Sequence, residues 1–477
     1  MIRRLLSNAI ETALPAETTH SQTFFKNEFA TFKWLTSTGP CFPVKAQNIT
    51  ILTDPSEFFD ALLTNCTNAK ERITLASLYL GNGPLEKKLL GCIRNNRCYR
   101  NNTLNINILL DYTRGSRHES NSRTVLLPFI NENSKLKVSL YHTPLLRGYL
   151  KKCIPHRWNE LLGLQHMKLY VFDNTLIISG ANLSNDYFTN RQDRYFVIKD
   201  KNLCDFYCDL VSKVQEFSLN LNGQNETSLS GNWDTLPYES NNDNFVKKAS
   251  ENIQRFVTEN TNRQIAETNE EECDTWIFPL IQMGQLGIEH DALVTSKLIA
   301  EAPSGSHLKI STGYFNLTTD YMNTLIQHCR ATCDILMAHP KANGFLGARG
   351  LAGGIPYAYS LIARNFKEMC KNNNQLERIY LLEYYKEGWT YHAKGLWYYP
   401  PTANVPCLTL IGSPNFGERS VKRDLETQVA IVTDNPELRK SLDNECRRLY
   451  DTSEVADIDR KVPVWVNAFV VFFRSYF

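Results

Sequence analysis

Apolar and polar positions along this chain follow two rhythms that trade places. Short apolar runs of strand length are separated by mixed stretches of helical length, such as residues 84–94 and 319–329. The series is written twice. Residues 73–80 match 308–315, 106–110 match 334–337, and 136–141 match 378–382. Then 166–172 match 392–399, 175–179 match 407–411, and 194–198 match 427–432. The same strand order in both halves, with helical stretches between the early strands, predicts two related α/β units. Each is expected to be a mixed sheet flanked by helices, with a pseudo-twofold axis between them and one shared site.

Residues 220–244 are rich in Asn, Ser and Gly and read as a linker. The expected division is an N-terminal extension at 1–47, a first domain at 48–218, a linker and connecting helix at 219–285, and a second domain at 286–477. The first ten residues are basic and apolar, with no acid before Glu11. They suit a short mitochondrial presequence or a frayed helix. The apolar stretch 462–473 is too short to span a bilayer. It suits either a membrane interface or a final core element.

Composition sharpens this picture. The chain has 477 residues, 42% of them hydrophobic and 21% charged, which gives it a real core and excludes disordered, collagen-like and coiled-coil classes. Lys and Arg number 52 against 50 Asp and Glu, a balance of +2 that disfavours nucleic acid as a partner. The 13 cysteines are scattered. Neither Cys204 with Cys208 nor Cys329 with Cys333 has a second ligand pair beside it, so zinc is not expected and the thiols read as free.

The chemistry lies in a motif present in both halves. His166 and Lys168 precede a small-residue turn ending in Asn182; His392 and Lys394 precede Gly412-Ser413-Pro-Asn415. Residues i and i+2 of a strand project to one face, so each half offers an imidazole, an ammonium and neutral donors to one edge. That set suits phosphate oxygens. Eleven residues after each Asn comes an acid, Asp193 and Glu426. A carboxylate behind an imidazole fixes its tautomer, so each acid is expected to orient a histidine.

With these residues the chain resembles the phospholipase D superfamily, marked by His-x-Lys-x4-Asp and a Gly/Ser-x-Asn turn. His166, Lys168 and Asp173 match the first copy, although its turn reads Ser179-Gly-Ala-Asn182. The second copy keeps His392, Lys394, Gly412, Ser413 and Asn415 but has Tyr399 where the Asp would stand. Residues 111–117, 165–174, 179–184, 187–194, 342–345 and 410–417 are similar to the eukaryotic mitochondrial phosphatidylglycerophosphate synthases. That resemblance implies two tandem phospholipase D-like domains. It also implies transfer of a phosphatidyl group from CDP-diacylglycerol to sn-glycerol 3-phosphate through a phosphohistidine, the committed step toward phosphatidylglycerol and cardiolipin. His166 would be the nucleophile and His392 the acid/base. Lys168, Lys394, Asn182, Asn415 and Ser413 would stabilise the phosphate oxygens. Asp173 joins the catalytic set through the motif, yet the family's loss of its second copy points to structural support. No metal or other cofactor is implied, since two lysines supply the charge. The implied setting is the matrix side of the mitochondrial inner membrane, held peripherally, because a two-chain lipid is worked on at the membrane surface. Trp389 and Trp397 are candidates for that interface.

Other signals are weaker. Arg114, Arg117 and Arg123 follow a strand end and suit either a grip on substrate phosphate or a solvated loop. His307-Leu-Lys309 repeats the His-x-Lys pattern without an Asn turn and reads as an ordinary strand start. Gly81-Asn-Gly83 lacks the rest of a P-loop and reads as a tight turn. Rival readings are the same chemistry with another acceptor (a phosphatidylserine or cardiolipin synthase, or a hydrolase), a phosphodiesterase acting on nucleic acid, and a degenerate membrane scaffold.

Overall fold

The computed structural model describes residues 27–148, 162–231, 233–239, 242–266, 273–347 and 353–474. The presequence candidate lies outside the described residues.

The described strands of the first half of the chain are β1 (Phe42–Val44), β2 (Ile49–Leu52), β3 (Arg72–Ala76), β4 (Asn105–Asp111), β5 (Leu136–Tyr141), β6 (Leu169–Phe172), β7 (Thr175–Ser179), β8 (Arg191–Gln192), β9 (Tyr195–Lys199), β10 (Leu219–Leu221) and β11 (Thr227–Leu229). Those of the second are β12 (Thr275–Met283), β13 (Ile288–Glu289), β14 (His307–Thr312), β15 (Thr332–Ala338), β16 (Ile379–Tyr384), β17 (Thr390–Tyr391), β18 (Gly395–Tyr399), β19 (Leu408–Gly412), β20 (Leu425–Thr433) and β21 (Ser453–Val455). One sheet runs β11-β10-β5-β4-β3-β6-β7-β9-β2. The other runs β1-β12-β20-β19-β18-β14-β15-β16-β21, with β13 on β12.

The two sheets share a plan. β3, β4 and β5 are parallel, as are β14, β15 and β16. β6 and β18 then run antiparallel to β3 and β14, and the rest of each sheet continues antiparallel. Every strand pair matched in the sequence occupies equivalent sheet positions.

The expected boundaries need correction. β12 falls inside the stretch read as a linker, yet it occupies in its sheet the place β2 holds in the other. All nine of its residues are buried. A strand covered on both faces does not alternate, so it carries no amphipathic signature. β1, from the supposed extension, pairs with β12. Ahead of it the segment Asn27–Ser37 buries Phe29, Phe32 and Leu35 in the second half's core.

One apolar core draws on both halves. It joins Leu176, Ile178 and Phe196 of the first sheet to Val429 and Ile431 of the second, together with the helix Lys201–Glu216. The helix Asn242–Ala266 adds Phe245, Ala249, Ile253 and Phe256, a stripe at helical spacing. Separate cores fill the outer side of each sheet.

The C-terminal helix Val464–Phe473 lies part in the core and part at the surface. Val466 and Val470, one turn apart, are buried in the second core, and the helix packs on Ile355–Asn372. Val464 is 85% exposed and Trp465 45%. Trp397 is fully buried, which removes it from any interfacial role; it lies under the Arg194 guanidinium, 3.8 Å from its ring centre.

Candidate active site

Both His-Lys pairs sit on the extended segments that lead into β6 and β18, and all four side chains are buried. What orients them comes from the opposite half. Gln165 forms a parallel bridge with Leu425, closed by His166 N–H to Leu425 O at 2.9 Å and Leu425 N–H to Leu164 O at 2.8 Å. The next residues are His166 and Glu426, and Nδ1 of the first lies 2.9 Å from Oε1 of the second. The same device recurs with the halves exchanged. β17 pairs in parallel with β8, aligning Tyr391 with Gln192, and His392 N–H donates to Gln192 O at 2.8 Å. The next residues are His392 and Asp193, with Nδ1 2.7 Å from Oδ2. Each acid thus serves the histidine of the other half.

These pairs are electrostatically joined. Burial pushes both imidazoles well below their ordinary range, and the adjacent lysine adds to it: Lys168 for His166, Lys394 for His392. Asp424 opposes this at His166, whereas Arg191 reinforces it at His392. That direction favours the neutral ring in each pair. With Nδ1–H donated to a carboxylate, Nε2 of each ring is the nitrogen turned to the chemistry; that of His392 also faces the Tyr187 hydroxyl at 3.3 Å. Burial pushes Lys168 down to about 7, held up by Glu426 and lowered further by Lys394. Lys168 Nζ donates to His166 O at 2.7 Å. Lys394 Nζ lies 2.7 Å from His392 Nδ1 and 3.5 Å from Asp193 Oδ2. The carboxylate is the stronger acceptor for the Nδ1 proton, so Lys394 packs beside the ring; burial lowers its pKa, while Asp193 and Glu426 oppose that. Burial raises both acids, while the lysines pull them down.

The turns behave less uniformly. Asn182 donates to Tyr187 Oη at 3.1 Å, and that hydroxyl is 3.3 Å from His392 Nε2. Gly180 is forced: a Cβ there would lie 2.6 Å from Lys394 Nζ and 2.7 Å from Asp193 Oδ1. The Asn415 side-chain oxygen is buried without a hydrogen bond among the described residues. Ser413 is engaged by the sheet, donating to Thr427 O and accepting from Thr427 N–H, both at 3.2 Å.

Asp173 stands apart from this site. It follows β6 at the far end from Lys168, roughly 16 Å away at ~3.3 Å per residue. Its carboxylate accepts from the N–H groups of Lys70, Glu71 and Arg72 at 2.8–3.0 Å, and its φ of 50° marks a hairpin turn. Its place in the catalytic set is corrected to a structural one. Its counterpart Tyr399 donates to Asp443 at 3.0 Å instead.

Arg114 lies 4.2 Å over the Tyr79 ring, and the Tyr79 hydroxyl is 2.9 Å from Ser184 Oγ, two residues past Asn182. Arg114 lies on the four-residue helix Tyr112–Gly115, and Arg117 follows it, half-buried. Arg123 is occupied by Asn225. His307 heads β14 and contacts Asp334 at 2.8 Å. The Gly81-Asn-Gly83 turn is filled by Glu86: a Cβ on either glycine would strike its carboxylate.

Residues that sequence reasoning passed over complete the frame. Asp111 accepts from Gln165 N–H at 3.0 Å and so fixes the segment bearing His166. Asp424 accepts from Leu164 N–H and pairs with Arg419 at 3.0 Å. Tyr187 and Tyr314 stand edge-on to His392 at 5.1 and 5.5 Å. His166, Asp424 and Glu426 bring ligand atoms within 4.8 Å of one another. His166 Nδ1 engages Glu426 Oε1, and Asp424 is held by Leu164 N–H and Arg419, while Glu426 Oε2 is buried without a hydrogen bond among the described residues.

Two half-sites, each completed by the other across a duplicated sheet, place the chain in the phospholipase D fold. A phosphatidylserine synthase from Haemophilus influenzae superposes with a TM-score of 0.68, covering 93% of this chain and 96% of its own at 19% identity. No family model matches the chain. Among curated proteins, the mitochondrial CDP-diacylglycerol–glycerol-3-phosphate 3-phosphatidyltransferase of Homo sapiens is 41% identical over 99% of this chain and 91% of its own length. A CDP-diacylglycerol–glycerol-3-phosphate 3-phosphatidyltransferase from Saccharomyces cerevisiae is 34% identical over 86% of this chain and 83% of its own length. The chain belongs to this family of phosphatidyltransferases.

Proposed function

We infer that this protein makes phosphatidylglycerophosphate and CMP from CDP-diacylglycerol and sn-glycerol 3-phosphate, the committed step toward phosphatidylglycerol and cardiolipin. The crossed His166–Glu426 and His392–Asp193 pairs carry the reading. A neutral imidazole is a nucleophile, and a charged one is not. His166 Nε2 attacks the phosphorus that bears the diacylglycerol. The P–O bond to CMP breaks, CMP leaves with the electron pair, and a phosphatidyl-histidine forms. Glu426 takes up the positive charge that appears on the ring. Lys168 and Lys394 stabilise the equatorial oxygens in a water-poor site, where fixed charges act strongly. Glycerol 3-phosphate then attacks the same phosphorus while His392 takes its hydroxyl proton, and the imidazolium is held by Asp193 until it releases the proton to solvent. The P–N bond breaks and His166 is regenerated.

The lipid substrate fixes the place of work. Lifting two acyl chains into water costs ~0.8 kcal/mol per CH₂, so the enzyme acts at a bilayer surface. The exposed Val464 and Trp465 of the C-terminal helix support contact there. Among the described residues no helix is long and apolar enough to cross a membrane. The relatives' names support a mitochondrial setting, and we assign the enzyme to the matrix face of the inner membrane.

The test is single-turnover labelling with CDP-diacylglycerol labelled in its lipid phosphate. His166→Ala and His392→Ala each lose about 10³-fold or more in transfer to glycerol 3-phosphate. In the absence of acceptor, His392→Ala still acquires protein-bound label and His166→Ala acquires none. Label on His166→Ala reverses the two roles, and substantial transfer by either variant removes the mechanism.

A further inference from the structure

In the two-histidine transfer on which this step rests, the departing and incoming groups use the same side of the phosphorus. Each displacement is in line with His166, so both groups occupy the His392 side. Both also carry a phosphate monoester, CMP first and glycerol 3-phosphate second. Without that phosphate the acceptor is glycerol, which offers little to tell it from any small alcohol. A dianion drawn into a buried cleft must meet a cation.

The cations around the site are committed to different degrees. Lys168 and Lys394 sit beside their own histidines, where they serve the oxygens of the transferred phosphoryl group. Arg419 is paired with the buried Asp424, and Arg194 is gripped at two points by the buried Glu445. Arg191 is held more lightly. It lies on β8 opposite Thr390, two residues before His392. Its guanidinium lies 4.7 Å over the Tyr187 ring, whose hydroxyl reaches His392 Nε2. A Cβ on Gly344 would fall 3.2 Å from Arg191 Nη2 and 3.3 Å from Tyr314 Oη, so that loop closes over both. Nε donates to Thr390 Oγ1 at 3.0 Å. Its carboxylate partner is Asp186 at 3.2 Å, which is 56% exposed while the arginine side chain is only 14% exposed. A carboxylate bathed in water holds weakly. A phosphate dianion, gripped by the planar fork through two parallel bonds, displaces it. The halves also differ here. Nine residues after the turn asparagine stands Arg191 in one and Asp424 in the other, so the base stands on the His392 side and the acid on the His166 side.

We propose that Arg191 is the anion anchor on the His392 side, receiving the phosphate monoester of CMP and then of glycerol 3-phosphate, and that it selects the acceptor by that phosphate. The test uses the purified full-length chain with Arg191→Gln and Arg191→Lys on CDP-diacylglycerol vesicles. Glycerol 3-phosphate and glycerol are supplied in turn as acceptors, and CMP is added as product inhibitor. In Arg191→Gln the KM for glycerol 3-phosphate rises, and the kcat/KM ratio of glycerol 3-phosphate over glycerol falls roughly tenfold or more. Arg191→Lys recovers part of it, and inhibition by CMP weakens in parallel. A ratio that stays at the wild-type value overturns the proposal, and so does an equal loss toward both acceptors, the mark of a merely structural role. Weaker CMP inhibition with the acceptor ratio intact assigns the guanidinium to the nucleotide and removes the acceptor role. Should Arg191→Gln fail to fold, Arg191→Lys carries the same ratio test. A wild-type chain that does not transfer to glycerol 3-phosphate would sink the reaction itself, a result separable from any effect of Arg191.

Discussion

At the scale of single residues, the site sets proton positions through burial. Lys168 illustrates the cost and the use. Its ammonium lies in the cleft with little water, so its pKa falls to about 7, while Glu426 keeps it from falling further. Below that value the lysine is charged and able to bind phosphate; above it the charge is lost. The expected outcome is a kcat/KM for CDP-diacylglycerol that declines as pH rises through about 7. The decline in kcat lies at higher pH, because bound phosphate favours the ammonium. A pH profile with Lys168→Arg checks this: arginine stays protonated, so whatever activity the variant retains shows no alkaline limb near 7. Between about 7 and ~10.4 the unfolded chain holds a proton that folded Lys168 has shed, so this residue's contribution to stability rises with pH in that window.

At the scale of elements, the deciding units are two parallel bridges, one at Gln165 and Leu425 and one along β17 and β8. The recurrence of an acid eleven residues after each asparagine was legible because it is a spacing within one half. Which acid serves which histidine was not, because that depends on pairing between segments hundreds of residues apart. Asp173 shows the opposite case. The motif includes it by spacing, but a strand runs between it and Lys168, and a strand carries its ends apart. Asp173→Asn is expected to weaken three backbone hydrogen bonds and cost ~1–3 kcal/mol of stability. Transfer activity stays within a few-fold. Urea unfolding and a transfer assay on one preparation separate the two effects; a 10²-fold loss of kcat would return Asp173 to the chemistry. β12 was missed because a strand buried on both faces looks like any apolar run.

At the scale of the whole molecule, the halves are locked as well as juxtaposed. Arg194, from the first half, donates to both oxygens of Glu445 at 2.8 Å and to Leu410 O at 2.7 Å, all inside the second. Trp397 Nε1 donates to the same carboxylate at 3.0 Å. Gly395 makes room: a Cβ there would lie 2.2 Å from Arg194 Nη1. Removing one partner strands the other's charge, so Glu445→Gln should lower stability by about 3–5 kcal/mol. With one core shared by both halves, unfolding should remain a single transition by fluorescence and by circular dichroism; two separated transitions would show that the halves stand independently. The crossed acids carry a consequence of their own. A lone copy of the repeat would hold an imidazole without its carboxylate, and only self-association about a twofold could restore it. Tethering the copies in one polypeptide makes that assembly independent of dilution. It also frees each copy to vary alone, and so one member of the pair can turn toward lipid and its twin toward a water-soluble alcohol.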